Sequence, residues 1–157
     1  MLGESGRTMI SISKIDSKNL PIDISRVYSV GITMDGLVPL IFNAKRGIWG
    51  FPGGHVEKEE SVEAAVRREF GEETGFTVLY CEPQYCLSSV LDEVHPQNQI
   101  IYFCRLGAQD SQERATDESV TNVRLVRTNE ILNIIGNQEI WTDILNDFSE
   151  WVKYPTK

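Results

Sequence analysis

Residues 54–76 read GHVEKEESVEAAVRREFGEETGF, and this stretch decides the fold. Serine is preferred just before a helix and glycine just after one, so Ser61 and Gly75 mark the two ends of a segment. The alanines, arginines and glutamates between them are good helix formers. The sequence therefore predicts one short helix in this stretch.

One face of the predicted helix is apolar at its start and acidic at its end. With about 3.6 residues per turn, six side chains share an arc of roughly 120°: Val62, Ala65, Val66, Glu69, Glu72 and Glu73. Like charges on one helix face repel and buried carboxylates are costly, so packing alone does not favour this face. A divalent cation such as Mg²⁺ or Mn²⁺ would resolve the conflict, because it prefers oxygen ligands.

The same stretch resembles the signature box of the Nudix hydrolases, G-x5-E-x7-R-E-U-x-E-E-x-G-U, in which U is a bulky apolar residue. All the fixed positions match: Gly54, Glu60, Arg68, Glu69, Glu72, Glu73 and Gly75. Both U positions hold phenylalanine, Phe70 and Phe76, where an aliphatic residue is usual. The preceding residues 49–54, WGFPGG, extend the resemblance upstream.

The resemblance implies hydrolysis of a nucleoside diphosphate linked to another group, with water attacking one phosphorus of the pyrophosphate. Glu69, Glu72 and Glu73 would be the metal ligands, and one of them, or a loop glutamate, would be the general base. Glu60 and Arg68 would orient those carboxylates by ion pairing. These five residues are the candidate catalytic set.

Further metal ligands are expected outside the helix. Gly53 and Gly54 would let backbone carbonyls approach the metal, because a side chain there would obstruct it. The resemblance also implies an acidic ligand from a loop before the last strand, where Glu118 stands beside Asp117. An ordinary solvated loop carboxylate is the alternative for Glu118, and Glu93 is a weaker candidate for the same role.

Substrate contacts are expected in the loop that leads to the box. Lys45 and Arg46 are candidates to bind substrate phosphates, and so is His55, which follows the glycines. Trp49 is a candidate to stack on a nucleobase, since every base offers a π-face. The alternatives are solvated loop charges for the cations and simple packing for the tryptophan.

The other aromatic residues divide between stacking and core packing. Phe51, Tyr85 and Tyr102 also offer stacking faces, although core packing is the favoured interpretation of Phe51 and Tyr102. Trp141 and Trp151 fall on a predicted C-terminal helix, and both are interpreted as core residues.

The pattern outside the box predicts an α/β protein. Apolar alternation indicates strands over residues 24–32 and 37–42, joined by a hairpin turn at Asp35-Gly36. Further predicted elements are strands at 76–90 (broken by Pro83), 99–106 and 123–126, a surface loop at 107–119, and helices at 129–135 and from Ile140. Strands around one central helix, with helices at the end, predict a mixed sheet covered on both faces. This pattern matches the Nudix-type α/β/α sandwich, with its signature loop and helix, that the resemblance implies.

Length and charge limit the organisation and the partners. The 157 residues suit one domain, so we expect a Nudix hydrolase domain over residues 23–157, with residues 1–22 an extension or edge strand. The net charge of −8 argues against a polynucleotide partner, whose binding relies on clustered Lys and Arg. It does not oppose a small phosphorylated nucleotide that binds with its metal. We expect a monomer or a homodimer.

Cysteine usage and hydropathy suggest a cytoplasmic protein. Cys81, Cys86 and Cys104 are interpreted as reduced, mostly buried thiols, because their spacing suits neither a disulfide framework nor zinc. No apolar run reaches the length of a membrane span, and no signal-like segment begins the chain.

The substrate is approached by elimination. Sequence markers that resemble those of ADP-ribose, diadenosine-polyphosphate, coenzyme A or NADH pyrophosphatases are missing. The leading hypothesis is therefore hydrolysis of a nucleoside triphosphate to the monophosphate and pyrophosphate. The alternatives are a nucleotide-sugar, ADP-ribose or dinucleoside polyphosphate pyrophosphatase, or a non-catalytic nucleotide-binding sensor.

Overall fold

A computed structural model describes residues 9–90, 96–110, 120–136 and 139–154. The strands are β1 (Met9–Lys14), β2 (Ile24–Ile32), β3 (Val38–Asn43), β4 (Ile48–Gly50), β5 (Gly53–His55), β6 (Phe76–Val90), β7 (Pro96–Gln109) and β8 (Val120–Val126). The helices are α1 (Val62–Thr74), α2 (Ile131–Ile135), which follows a single 3₁₀ turn at Thr128–Glu130, and α3 (Glu139–Trp151).

The strands form two sheets. The first is a five-stranded mixed sheet in the order β1-β6-β7-β2-β5, in which β2 and β7 run parallel and the other pairs are antiparallel. The second is an antiparallel three-stranded sheet in the order β4-β3-β8. The predicted mixed sheet is confirmed, and a second, smaller sheet accompanies it.

Helices cover both faces of the five-stranded sheet. Neighbouring residues of β7 point to opposite faces, so Phe103 and Cys104 belong to two separate hydrophobic clusters. Cys104 packs with Ala65, Val66 and Phe70 of α1, and we call this side the α1 face. Phe103 packs with α2, α3 and the three-stranded sheet, and we call this side the α3 face. The α/β/α architecture is therefore as predicted.

Helix α1 has the ends that the sequence predicts. The Ser61 side chain accepts a hydrogen bond from the Ala64 backbone N–H at 3.1 Å, and Gly75 ends the helix with a φ of 81°. Phe70 is fully buried, and a Cβ at Gly31 on β2 would come within 2.8 Å of its ring. The absence of a side chain at Gly31 thus makes room for the aromatic ring that replaces the usual aliphatic residue.

The predicted hairpin between β2 and β3 is wrong. A tight turn does form, because the Thr33 backbone N–H bonds to the Leu37 carbonyl at 2.8 Å. The two strands nevertheless enter different sheets. Both edges of β2 are already occupied, by β5 on one side and β7 on the other, so β3 pairs with β4 and β8 instead.

Several predicted boundaries also need correction. Strand β6 continues through Pro83, where a register shift between Pro83 and Tyr85 accommodates the missing N–H group. Strand β7 extends to Gln109, so the predicted loop at 107–119 begins with strand residues and its remainder from 111 lies outside the described residues. The loop before the box contains β4 and β5.

A first strand and a C-terminal helix are both present among the described residues. Strand β1 pairs with β6 at the edge of the five-stranded sheet, while the expected domain boundary at residue 23 stays a prediction. The C-terminal helix begins at Glu139. Cys81, Cys86 and Cys104 are all unpaired thiols, with Cys86 and Cys104 buried. Within the described ranges, no helix is long and apolar enough to cross a membrane.

Candidate active site

Strand β5 brings the loop glycines against β2 and α1. Gly53 pairs with Tyr28, and a Cβ at Gly53 would lie 2.1 Å from the Val27 carbonyl oxygen. A Cβ at Gly54 would lie 2.3 Å from Oε2 of Glu69. Real Cβ atoms do not approach other atoms so closely, so the backbone contact requires glycine at position 53, and a side chain at position 54 would displace the Glu69 carboxylate. The backbone of Gly54 is thereby placed directly beside a carboxylate of α1.

Arg68 joins three of the signature glutamates into what we call the arginine network. It binds Glu60 through two hydrogen bonds, from Nε at 2.7 Å and from Nη2 at 2.9 Å. Its Nη1 reaches Glu69 at 3.0 Å and Glu72 at 3.3 Å. Nη2 also donates to the carbonyl of His55 at 3.0 Å, which ties the network to β5.

The Arg68 charge explains how several carboxylates can share one helix face. Its hydrogen bonds lower the pKa of Glu60, because they stabilise the ionised carboxylate. Conversely, the bond to Glu60, followed by that to Glu69, raises the pKa of Arg68. A shared guanidinium therefore offsets the repulsion between the glutamates that the sequence places on this face.

Glu73 is held separately from the arginine network. Only 5% of this residue is exposed, and its Oε1 accepts a hydrogen bond from the backbone N–H of Gly53 at 2.9 Å. Glu69 and Glu73 line a cleft, whereas the Glu72 side chain is 41% exposed on the side of Arg68. Of the two carboxylates in the cleft, Glu69 is therefore held by Arg68 and Glu73 by the backbone of Gly53.

The donor set suits a hard divalent cation. Glu69, Glu72 and Glu73 supply carboxylate oxygens from one helix face. The backbone of Gly54 lies next to the Glu69 carboxylate, with no side chain at Gly54 to block a cation. Among the residues that the structure describes, no three acidic, histidine or cysteine side chains already converge as a metal site. Glu118, its neighbour Asp117 and the weaker candidate Glu93 lie outside the described residues.

The cleft beside these carboxylates is open and has a volume of about 900 Å³. Its charged lining contains the cations Arg26, Lys45 and Arg46 and the acids Glu57, Glu69 and Glu73. Its aromatic lining consists of Tyr28, Trp49, Phe51 and Trp141. Carboxylates that could hold a cation, basic groups that could hold phosphate and aromatic rings that could stack a base therefore surround one space.

The four residues predicted to contact substrate all line this cleft. Lys45, Arg46 and Trp49 come from β4 and the turn before it, and His55 comes from β5. The Trp49 ring packs against Phe42, with ring centroids 5.4 Å apart. His55 also contributes to the site through its backbone, because its carbonyl oxygen accepts a hydrogen bond from Arg68.

Trp141 is the main residue that sequence reasoning missed. Its ring packs on Phe51, with centroids 4.5 Å apart, and lines the cleft instead of lying wholly inside the core. Arg26 and Gln99 were also missed; they face the cleft as paired residues on β2 and β7. No local signal separates Trp141 from the core residues of α3, because helical periodicity places it on the same apolar face as Ile144 and Phe148.

Two other stacking candidates do not line the cleft. Tyr102 is buried on the α1 face, which confirms the core interpretation. Tyr85 is buried on the α3 face, and its hydroxyl donates to Asp147. Burial and the Asp147 carboxylate raise the pKa of Tyr85, so its phenol stays protonated. Trp151 packs against the core of the α3 face, as predicted.

Comparison with known proteins points to one family. Residues 40–150 match the model of the NUDIX domain. The 8-oxo-dGTP diphosphatase of Buchnera aphidicola subsp. Acyrthosiphon pisum (strain APS) is 37% identical over 60 residues, which are 38% of this chain and 45% of that protein. The match therefore spans less than half of that relative's length.

Solved structures share the fold. A mutant of the Bacillus subtilis pyrophosphohydrolase BsRppH superposes with a TM-score of 0.71 at 21% identity, over 93% of this chain and 90% of that one. The NUDIX domain of Shewanella oneidensis NrtR, crystallised with ADP ribose, has a TM-score of 0.57 at 22% identity, over 76% of this chain and 82% of that one.

Proposed function

This chain belongs to the Nudix hydrolase family, and on that basis we propose that it hydrolyses a nucleoside triphosphate to the monophosphate and pyrophosphate with the help of Mg²⁺ or Mn²⁺. One observation carries the proposal. Arg68 holds Glu60, Glu69 and Glu72 together on one helix, beside an aromatic cleft that Glu69 and Glu73 also line.

The chemistry needs a divalent cation because substrate and nucleophile are both negatively charged. When bound, the cation screens that charge, lowers the pKa of water and stabilises the leaving oxygen. Glu69, Glu72 and Glu73 would hold it, with the carbonyls of Gly53 and Gly54 nearby. Glu118 is proposed as a further ligand from outside the described residues.

The arginine network keeps the ligand carboxylates in a fixed orientation. The paired hydrogen bonds to Glu60 fix the guanidinium plane, which leaves Nη1 directed at Glu69 and Glu72. Outer partners of this kind orient metal ligands and raise metal affinity. Arg68 and Glu60 are therefore positioning residues in the proposed reaction.

The remaining lining fits the two ends of a nucleotide. Lys45, Arg46 and the ring of His55 are proposed to contact the phosphates, since cations in a cleft attract an anionic ligand. Trp49 and Trp141 are proposed to flank the nucleobase, with Phe51 packed behind Trp141. The net charge of −8 disfavours a polynucleotide and is compatible with a small substrate that binds together with a cation.

The choice of a triphosphate rests on similarity to the Buchnera enzyme, which is named for 8-oxo-dGTP. An oxidised purine triphosphate is accordingly included in the proposal. ADP-ribose is the second candidate, because the NrtR domain of the same fold was crystallised with it. The three free thiols fit the reducing cytoplasm, which we propose as the location.

Substrate profiling with both cations tests the proposal. The panel contains the common nucleoside triphosphates, 8-oxo-dGTP, ADP-ribose, a nucleotide sugar and diadenosine tetraphosphate, each with Mg²⁺ and with Mn²⁺. We expect pyrophosphate from a triphosphate at a rate well above all other substrates. Faster cleavage of ADP-ribose would replace the triphosphate assignment. Nucleotide binding without turnover of any compound would indicate a sensor.

A further inference from the structure

Two of the three cysteines face each other on the α1 face of the five-stranded sheet. Cys81 on β6 pairs directly with Cys104 on β7, within a run of uninterrupted register from Tyr80 to Pro83. Opposite residues in an antiparallel pair have Cα atoms about 4.5–5.5 Å apart, inside the roughly 4.4–6.8 Å that a disulfide spans. The two thiols are also close enough for each to shift the pKa of the other. The backbone therefore holds the sulfurs where a bond can close.

The two thiols have different surroundings. Cys104 is completely buried, whereas Cys81 is partly exposed. The hydrogen bond from Cys104 lowers the pKa of Cys81, helped by the Arg67 guanidinium and opposed by burial and by the Glu63 carboxylate. Burial raises the pKa of Cys104. Cys81 is thus the accessible sulfur with more thiolate character, and Cys104 is its protonated neighbour.

We propose that Cys81 and Cys104 form a peroxide-sensitive modification site in which Cys81 is oxidised first and Cys104 then closes a disulfide. The Cys81 thiolate attacks one oxygen of a hydroperoxide, the O–O bond breaks, and Cys81 becomes a sulfenic acid. The Cys104 sulfur then attacks the Cys81 sulfur, and the S–O bond breaks. With hydrogen peroxide, two thiols lose two electrons and the peroxide leaves as two waters.

The disulfide would cross-link β6 to β7 directly beneath α1. Both cysteines pack in the cluster that contains Ala65, Val66 and Phe70 of that helix. The disulfide would close a covalent loop from residue 81 to residue 104, and this loop contains the connection between β6 and β7. A loop of this length restricts the unfolded chain, so the oxidised protein should melt about 5–10 °C higher than the reduced one.

Peroxide treatment of the full chain tests the site directly. The reduced protein is exposed to hydrogen peroxide, and the products are followed by thiol counting, intact mass and peptide mapping without reductant. We expect the loss of two of the three thiols, a peptide that links Cys81 to Cys104, and the higher melting temperature. Dithiothreitol should reverse all three changes.

Two variants separate this site from general oxidation. Cys81→Ser changes the more exposed partner and should abolish the linked peptide and the melting shift. Cys86→Ala removes the third cysteine, which pairs with Ile100 elsewhere on the strands, and should leave both intact. Retention of all three thiols, a sulfinic acid at Cys81 without a cross-link, or linkage through Cys86 would each overturn the proposal. No step uses a nucleotide, so the outcome is independent of the proposed hydrolysis.

Discussion

The acidic and aromatic sides of the cleft are built in opposite ways. The acidic side comes from one continuous segment, in which Gly54, Glu60, Arg68, Glu69 and Glu73 meet because a loop leads into a single helix. The aromatic side is assembled from three separate parts of the chain: β2, β4 with the loop directly after it, and α3. Local spacing therefore determines the acidic side, whereas only the complete fold determines the aromatic side.

The two sides should also respond differently to mutation. On the acidic side, one guanidinium serves three carboxylates, so the loss of any member should affect its neighbours. On the aromatic side, Trp49 and Trp141 pack against different rings, Phe42 and Phe51. We therefore expect mutations on the acidic side to have coupled effects on catalysis. Mutations on the aromatic side should have independent effects on nucleotide binding.

The largest effect is expected from Glu72→Gln on the acidic side. The amide loses the negative charge that a cation requires, so kcat should fall on the order of 10³-fold. The melting temperature should stay the same or rise, because repulsion between the helix carboxylates decreases and the lost pair with Arg68 is half exposed. Steady-state kinetics and thermal melting measure the two quantities.

Glu63→Gln is the matched control for this change. Glu63 lies on the same helix, pairs with Arg67 at 3.1 Å and has an exposed side chain, but it lies outside the arginine network to which Glu72 belongs. Its kinetics should match those of the wild type. Equal losses in both variants would show that the helix charge as a whole, and not a metal ligand, supports activity.

Arg68→Lys should give the next largest effect. Lysine keeps the charge but cannot make the forked contact with Glu60 while also reaching Glu69 and Glu72. We expect kcat/KM to fall about 10- to 100-fold, and more Mg²⁺ to be needed for half-maximal rate. An unchanged metal requirement would mean that the arginine network does not position the ligands. Arg67→Lys, one residue away, is the control.

On the aromatic side, Trp141→Ala should weaken binding more than chemistry. Loss of one stacking ring costs about 1–3 kcal/mol, so KM for the nucleotide should rise roughly 10-fold while kcat changes little. Trp141→Phe should restore much of the affinity, since it keeps a π-face. A fall in kcat with KM unchanged would remove this tryptophan from the proposed base site.

The smallest expected effect concerns stability and pH. Arg68 lowers the pKa of Glu60 in the folded protein, so this pair stabilises the fold above the ordinary glutamate pKa, and the benefit is lost as the pH falls through the lower folded value. At pH 7 we expect Glu60→Gln to melt roughly 3 °C below the wild type. The difference should shrink as the pH is lowered below the ordinary glutamate pKa, and a difference that does not change with pH would show that Glu60 stabilises by packing alone.

The sequence predicts the acidic side well because its determinants are local. Ser61, Gly75 and the helix formers between them set the ends of α1, and helical periodicity then places the glutamates on one face. The packing of the bulky Phe70 is less local, because the space for its ring depends on Gly31 in a distant strand. The roles assigned to these side chains in catalysis stay predictions.

The sequence predicts strand partners and the aromatic side less well. The turn at Asp35-Gly36 is a true turn, but local residues do not reveal that β2 already has two neighbours. Trp141 looks like a core residue because its helix is amphipathic, and its exposure to the cleft depends on where Phe51 lies. Arg26 and Gln99 become neighbours only through the parallel pairing of β2 with β7.

Pyrophosphate release by metal-free protein, with Mg²⁺ added back stepwise, tests the central claim most directly. The wild type and Glu72→Gln are compared on the triphosphate that the substrate panel favours. We predict no release without the cation, saturable release by the wild type as Mg²⁺ is added, and at most a trace from the variant. Turnover by the wild type in the presence of a chelator, or full activity of the variant, would contradict the account.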